Sequence, residues 1–348
     1  MPNSRRAFIK KSTTALATTA ILPWYSILRK KEKRSDFTIG HNSHQYKVDL
    51  NWGNLDAKRY PVNDCHEMVQ DSKGRIILLT NETKNNIIVY DKSGKVLNTW
   101  GNDYPGAHGL TISNEGGEEF LYIADNNRHE VIKTTLDGKE IMTLSWPEES
   151  GKYKEASQYI PTETAVLPNG DIYIADGYGE QYILHYNSKG ELLNVFGGRG
   201  EGDAHFDNAH GICLDTRTFR PTLLISARQR NQLKRFSLEG RHLLTIDLPG
   251  AFICRPVVDD KNVYMAVLVS RPPFDSQSGY ICILDENNQV ISNPAGSIPT
   301  YENNKLQKIY QTVKVFQHPH DVCVDEDKNL YVAQWNSGKT YPVKLVRV

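Results

Sequence analysis

Three histidines in this chain open the same short phrase. His108-Gly109-Leu110-Thr111-Ile112-Ser113, His210-Gly211-Ile212-Cys213-Leu214-Asp215 and His320-Asp321-Val322-Cys323-Val324-Asp325 each set an imidazole ahead of a short alternating strand. They lie roughly one hundred residues apart, an interval that a closed array of repeats can wrap to a common axis. Three imidazoles meeting there would hold a divalent metal and leave one position open for water or substrate, the ligand pattern of catalytic zinc. All-imidazole ligation suits zinc first, and copper, nickel and iron also accept it. A single histidine at such a position can do less, bonding a neighbouring backbone and ending its strand.

The elements that must position these side chains repeat with them. After residue 36 the chain parses into six units of about 40 to 65 residues, each of short apolar strands joined by Gly-, Asn- and Asp-bearing turns. The first unit shows the scheme: a strand from His66 to Asp71, the turn Ser72-Lys73-Gly74, Arg75-Ile76-Ile77-Leu78-Leu79, Asn86-Ile87-Ile88-Val89-Tyr90, the turn Asp91-Lys92-Ser93-Gly94, and Lys95-Val96-Leu97-Asn98-Thr99-Trp100. Four strands per unit, six times over, predicts an all-β, six-bladed β-propeller over residues 37–348. The sixth unit ends after three strands, and residues 46–53 resemble the fourth strand of unit one. They are expected to complete the last blade and leave the ring without an open edge. The fifth unit is less regular, and the polar stretch 301–312 reads as a short helix.

The first strand of each propeller blade lines the central channel. The residues that open those strands are His66, His108, Thr162, His210, Cys254 and His320. His108, His210 and His320 fall in blades 2, 4 and 6, about 120° apart around a six-bladed ring, so they can converge on one point. His66 stands beside them as a hydrogen-bond donor to a ligand, a general base or a fourth ligand, and spacing does not choose among these roles.

Ala175-Asp176-Gly177-Tyr178, His210 with its strand and then Ala227-Arg228, and Pro319-His320-Asp321 together resemble the peptidyl-α-hydroxyglycine α-amidating lyases. That resemblance implies an NHL-type six-bladed propeller with zinc on His108, His210 and His320, Tyr178 as the catalytic tyrosine and Arg228 near the substrate. The implied chemistry removes the proton of a substrate hydroxyl and cleaves a C–N bond, releasing an amide and glyoxylate. Two departures stand out. The family's arginine in blade 1 has no match here, His66 being in its place, and the cysteine after the family's tyrosine is Gly179. Read without the resemblance, Tyr178 could pack at a rim, Arg228 could pair with an acid such as Glu163, and Asp125 and Asp176 would brace turns.

Ser4-Arg5-Arg6-Ala7-Phe8-Ile9-Lys10-Lys11 resembles a twin-arginine export motif, and the apolar run over residues 13–28 is shorter than the ~20 residues a membrane span needs. Residues 1–36 are therefore expected to be an export signal and linker, engaging the twin-arginine machinery and leading to a periplasmic or otherwise extracytoplasmic location. The chain has 41 Lys+Arg against 41 Asp+Glu, which argues against bulk attraction to nucleic acid or an anionic membrane. Five cysteines without paired spacing argue against a disulfide framework. Phosphate loops and a Gly-x-Ser-x-Gly elbow are missing. The sequence thus points to an exported, metal-dependent lyase or hydrolase acting on a small polar or peptide-like substrate. Its rivals are a non-catalytic NHL module that binds peptide, glycan or protein, and a calcium-dependent lactonase, whose oxygen-lined site fits imidazoles poorly.

Overall fold

A computed structural model describes residues 37–274 and 276–348; the double-arginine segment lies outside them. Five antiparallel sheets of four strands and one of five form six blades, over residues 65–100, 107–144, 163–197, 209–247, 253–292 and 319–347. The innermost strand of each blade contacts that of the next, and Pro319–Val324 of blade 6 returns to Cys65–Gln70 of blade 1, which closes the ring.

Burial grades outward along each blade, and composition follows it. Second strands such as Ile76–Thr80, Ile172–Ala175 and Leu330–Gln334 are buried along their whole length, because neighbouring blades cover both faces. That is why they read as continuous apolar runs rather than alternating ones. Fourth strands such as Val96–Trp100 and His242–Asp247 lie half in solvent and carry polar residues. The core is accordingly a set of seams between blades. Ile77, Leu79, Ile87 and Val89 of blade 1 pack on Leu110, Leu121, Ile123 and Ile132 of blade 2, for example. Each such side chain contributes about 1.5–3 kcal/mol when fully buried.

The N-terminal strand closes blade 6 as expected. His44–Asp49 pairs antiparallel with Val343–Arg347, with Tyr46 opposite Arg347 and Asp49 opposite Lys344. Thr38–His41 then adds a fifth strand that the sequence did not suggest. Trp52 follows and pins blade 6 to blade 1, with its ring 4.7 Å from Tyr331 and 5.1 Å from Tyr90, and its indole N–H donating to the Lys92 carbonyl at 3.0 Å. The expected helix at 301–312 is instead a two-stranded hairpin, Tyr301–Glu302 with Lys305–Leu306, whose Asn303 and Asn304 take the positive φ of a tight turn.

Candidate metal and substrate site

The innermost strands do not run in perfect register. In blades 1, 2, 4, 5 and 6 the pairing slips at the residue that opens the strand: Cys65 pairs with Thr80 and Glu67 with Leu79, leaving His66 unpaired between them. The same slip frees His108, His210, Cys254 and His320. A bulge of this kind releases a side chain from the alternation of the strand and re-aims it. Here the re-aimed side chains gather in one ring.

The three histidines of alternate blades meet. Ring centroids of His108, His210 and His320 lie 4.8–5.0 Å apart. His66 joins them at 4.8 Å from both His108 and His320, so the cluster holds four imidazoles. All four are buried. Ligand atoms of His66, His108 and His320 lie within 4.8 Å of one another, as do those of His210, Cys254 and His320, and either set could hold a metal ion.

Hydrogen bonds specify the tautomers. His108 Nδ1 lies 2.8 Å from the Thr162 carbonyl and His320 Nδ1 lies 3.0 Å from the His66 carbonyl. A carbonyl only accepts, so each Nδ1 carries the proton and each Nε2 offers a lone pair. The Tyr178 hydroxyl stands 3.1 Å from Nε2 of both His108 and His210. It donates its one proton to His108, so His210 donates its Nε2 proton to the phenol oxygen. His210 Nδ1 is then left with a buried lone pair and no hydrogen-bond partner among the described residues. His66 Nδ1 is likewise unpartnered. Each such buried atom calls for a water, an ion or a ligand to complete it.

Burial and the positive charge of Arg228 push the His66 imidazole down to about 3. Burial, Arg228 and the neighbouring rings hold His210 and His320 well below the usual histidine range. For His108, burial and His66 act in the same direction. The ring is therefore neutral at physiological pH, the form that ligates metals. Burial raises the Tyr178 phenol, and the Arg228 guanidinium opposes that rise.

Arg228 opens a short 3-10 turn after the second strand of blade 4 and is buried. It donates to the Ile253 carbonyl at 3.3 Å and to Cys254 Sγ at 3.2 Å. The alternative pairing with Glu163 is not made, and among the described residues no carboxylate lies within ion-pairing distance of it. Glu163 instead faces Arg255, at 3.8 Å. Asp176 braces the turn that presents Tyr178, accepting from the backbone N–H of Ile160 and Glu180 at 2.7 Å each and from the Tyr153 hydroxyl at 3.0 Å. Asp125 does the same for Asn127 and Arg128.

One residue further along each innermost strand lies a second ring, which the sequence reading missed: Glu67, Gly109, Glu163, Gly211, Arg255 and Asp321. Arg255 donates to Asp321 at 2.8 and 3.1 Å, to the Leu110 carbonyl at 2.8 Å and to the Met68 carbonyl at 3.0 Å. Glu67 Oε2 is 3.6 Å from it and accepts from the Leu110 backbone N–H at 2.6 Å. Burial raises both Glu67 and Glu163, against the pull of the Arg255 guanidinium. The two glycines let the innermost strands approach: a Cβ on Gly211 would stand 2.5 Å from Arg255 Cα, and one on Gly109 would stand 2.5 Å from the Thr162 carbonyl oxygen. The clue was available, since a charged residue or a glycine follows each of the six blade-opening residues.

Two pockets open onto the imidazole ring and share Tyr178 and Trp335. One, of about 250 Å³, is lined by Arg228 and His320 with Leu268, Phe274 and Trp335. The other, of about 310 Å³, is lined by His66 and His108 with Asn81, Asn126 and Asn127.

Comparison with known proteins agrees with this architecture. No family model matches the chain. Over 278 residues it is 28% identical to peptidyl-alpha-hydroxyglycine alpha-amidating lyase 1 of Drosophila melanogaster, covering 70% of this chain and 46% of that protein. The chain is an NHL-like propeller related to the amidating lyases. It is also 25% identical over 180 residues to NHL repeat-containing protein 3 of Homo sapiens, covering 49% of this chain and 51% of that one. The chain thus spans about half the length of these curated relatives. Among solved structures, a gluconolactonase from Xanthomonas campestris matches with a TM-score of 0.59 at 11% identity, over 89% of this chain and 95% of that one, a likeness of fold. Among the described residues no helix is long and apolar enough to cross a membrane.

Proposed function

We propose that this propeller is a metal-dependent lyase, similar in chemistry to the amidating lyases, acting on a small substrate that carries an anionic group and a hydroxyl. The observation that carries this reading is the Tyr178 hydroxyl, set 3.1 Å from Nε2 of imidazoles in two alternate blades. His108, His210 and His320 would hold the metal: two are already in the Nδ1–H tautomer, and the third has a buried lone pair without a partner. A divalent ion, zinc before others, would supply Lewis acidity to a bound oxygen.

The chain's own groups do the rest. Arg228 is a buried cation without a carboxylate partner among the described residues, and it lines the same pocket as Leu268, Phe274 and Trp335. It would fix an anionic group, with an apolar substituent against the adjoining wall. As a phenolate, the form the Arg228 guanidinium favours, Tyr178 would take the proton of the substrate hydroxyl and return it to the leaving amide nitrogen. The oxygen lone pair then forms the carbonyl, the C–N bond breaks, and the amide nitrogen takes up a proton. The asparagine-lined pocket suits the amide backbone of a peptide-like leaving group. We also place the protein outside the cytoplasm, delivered through the twin-arginine route.

Elemental analysis of the purified chain tests this first, with an expected content near one divalent ion per chain that His210→Ala abolishes. Wild-type protein with no metal and no affinity for one would end the proposal. Peptides ending in α-hydroxyglycine then test the reaction through glyoxylate release. A second reading, a non-catalytic NHL module, is favoured by the likeness to NHL repeat-containing protein 3. It predicts that His320→Ala leaves partner binding intact.

A further inference from the structure

We propose that the substrate carries an apolar side chain on the reacting carbon itself, so that the acid product is an apolar 2-oxo acid larger than glyoxylate. This rests on the lyase reading above and adds the one group on that carbon which the reading leaves unassigned.

The carbon that loses its nitrogen carries four groups, and three of them already have a place. Arg228 takes the anionic group, Tyr178 meets the hydroxyl, and the asparagine-lined pocket takes the amide. In α-hydroxyglycine the fourth group is only a hydrogen. Yet the pocket that holds Arg228, Tyr178 and His320 is also walled by three large apolar side chains, Leu268, Phe274 and Trp335. Its volume of about 250 Å³ is room for about eight waters at ~30 Å³ each, and a carboxylate fills a minor part of that. A hydrogen would leave the wall facing water, whereas an apolar substituent would cover it and gain by leaving water itself.

The wall is held in place before any ligand arrives. Leu268 directly follows the second strand of blade 5, Asn262–Val267, is buried, and donates its backbone N–H to the Phe252 carbonyl at 3.0 Å. Phe274 meets the Phe252 ring edge-on, with centroids 5.2 Å apart and planes at 84°. Trp335 directly follows the second strand of blade 6 and donates its backbone N–H to the His318 carbonyl at 2.9 Å. Phe274 and Trp335 both pack against the large apolar core shared by blades 5 and 6. Side chains fixed in this way bind an apolar group without first having to be ordered. Of the polar residues in the pocket, Asn208 donates its amide N–H to the Gly177 carbonyl at 2.7 Å.

The substrate class is therefore an N-acyl α-hydroxy-α-amino acid with an apolar side chain. The hydroxyl proton passes to Tyr178 and on to the nitrogen, the C–N bond breaks with its electron pair going to nitrogen, and the oxygen closes the carbonyl. The products are an amide and the 2-oxo acid, and no oxidant or reductant is consumed.

Turnover by the full chain tests this, comparing N-acetyl-α-hydroxyleucine with N-acetyl-α-hydroxyglycine through 2-oxo acid release. The expected kcat/KM is at least about 10-fold higher for the leucine compound, since even one methylene in a fitted apolar pocket can discriminate by that much. Phe274→Ala, with its fold checked by circular dichroism, should bring the ratio of the two values back toward one, and Phe274→Leu should keep most of the preference. Equal kcat/KM values in the wild type, a preference for the glycine compound, or a preference for the leucine compound that survives Phe274→Ala would overturn the proposal while leaving the lyase reading standing. Release of a 2-oxo acid from neither compound by metal-loaded protein would overturn both.

Discussion

The two rings of the channel lie one residue apart along the same strands and satisfy their polar atoms in opposite ways. In the inner ring Arg255 is surrounded by Asp321, two backbone carbonyls and two glutamates, and its donors are consumed within the protein. In the imidazole ring the accounting stays open: among the described residues His66 and His210 each keep an unpartnered nitrogen and Arg228 has no acid beside it, whereas the inner ring leaves only one carboxylate oxygen, Glu163 Oε2, without a hydrogen bond, and that lies 3.8 Å from Arg255. A closed network ties blades together, whereas an open one waits for a ligand. The fold therefore separates stability from chemistry by a single step along each innermost strand.

The largest expected break in this contrast comes from the closed ring. Arg255→Met leaves Asp321 and the glutamate pair buried without their cation and should cost about 3–5 kcal/mol in urea denaturation. His210→Ala should cost clearly less in the same assay, although it removes the metal. If the two losses were equal, the division of labour would fail. In the open ring, Tyr178→Phe keeps the aromatic ring and removes the hydroxyl, so kcat should fall by about 10²-fold or more with folding unchanged by circular dichroism. Gly211→Ala forces a Cβ against Arg255 Cα at 2.5 Å. It should destabilise by about 1–3 kcal/mol, as overpacking does, and should weaken the inner ring before it touches metal content.

The smallest effect is a slope. His66 stays neutral in the folded chain down to about 3 but takes up a proton near 6.5 when unfolded. Acid thus favours the unfolded chain between those values, and this contribution to stability is lost as pH falls through that window. The stability of wild type relative to His66→Gln should fall with pH from about 6.5 toward about 3, by up to roughly 1.4 kcal/mol per pH unit. A constant difference across that range would show that His66 is not held neutral by burial.

Much of this was legible in the sequence. The spacing of His108, His210 and His320 gave the alternate-blade geometry, and the tail of unit six gave the N-terminal closing strand. Both signals survive because they depend on repeat period, which tertiary packing does not alter. The fourth imidazole was seen as a neighbour but its place was open, since a bulge moves a side chain by an amount that spacing does not encode. Arg255 escaped notice for a related reason: Cys254 is legible as the residue that opens blade 5, but nothing in the repeat period marks the position after it. The hairpin at 301–312 was taken for a helix because polar composition carries no period of its own.

The pairing of residues 44–49 with 343–347 has a consequence for how the molecule assembles. The two partners are separated by nearly the whole described chain, and Tyr46 accepts a hydrogen bond from Arg347 at a separation of 301 residues. The first blade can form as soon as it is made, but the circle cannot be completed until the last strand arrives. Such long-range closure predicts slow folding, because the entropic cost of joining distant ends precedes the contacts that reward it. It also predicts that unfolding starts at this one seam, where two ends of the chain hold each other, so a cross-link between the two strands should slow the loss of the whole ring.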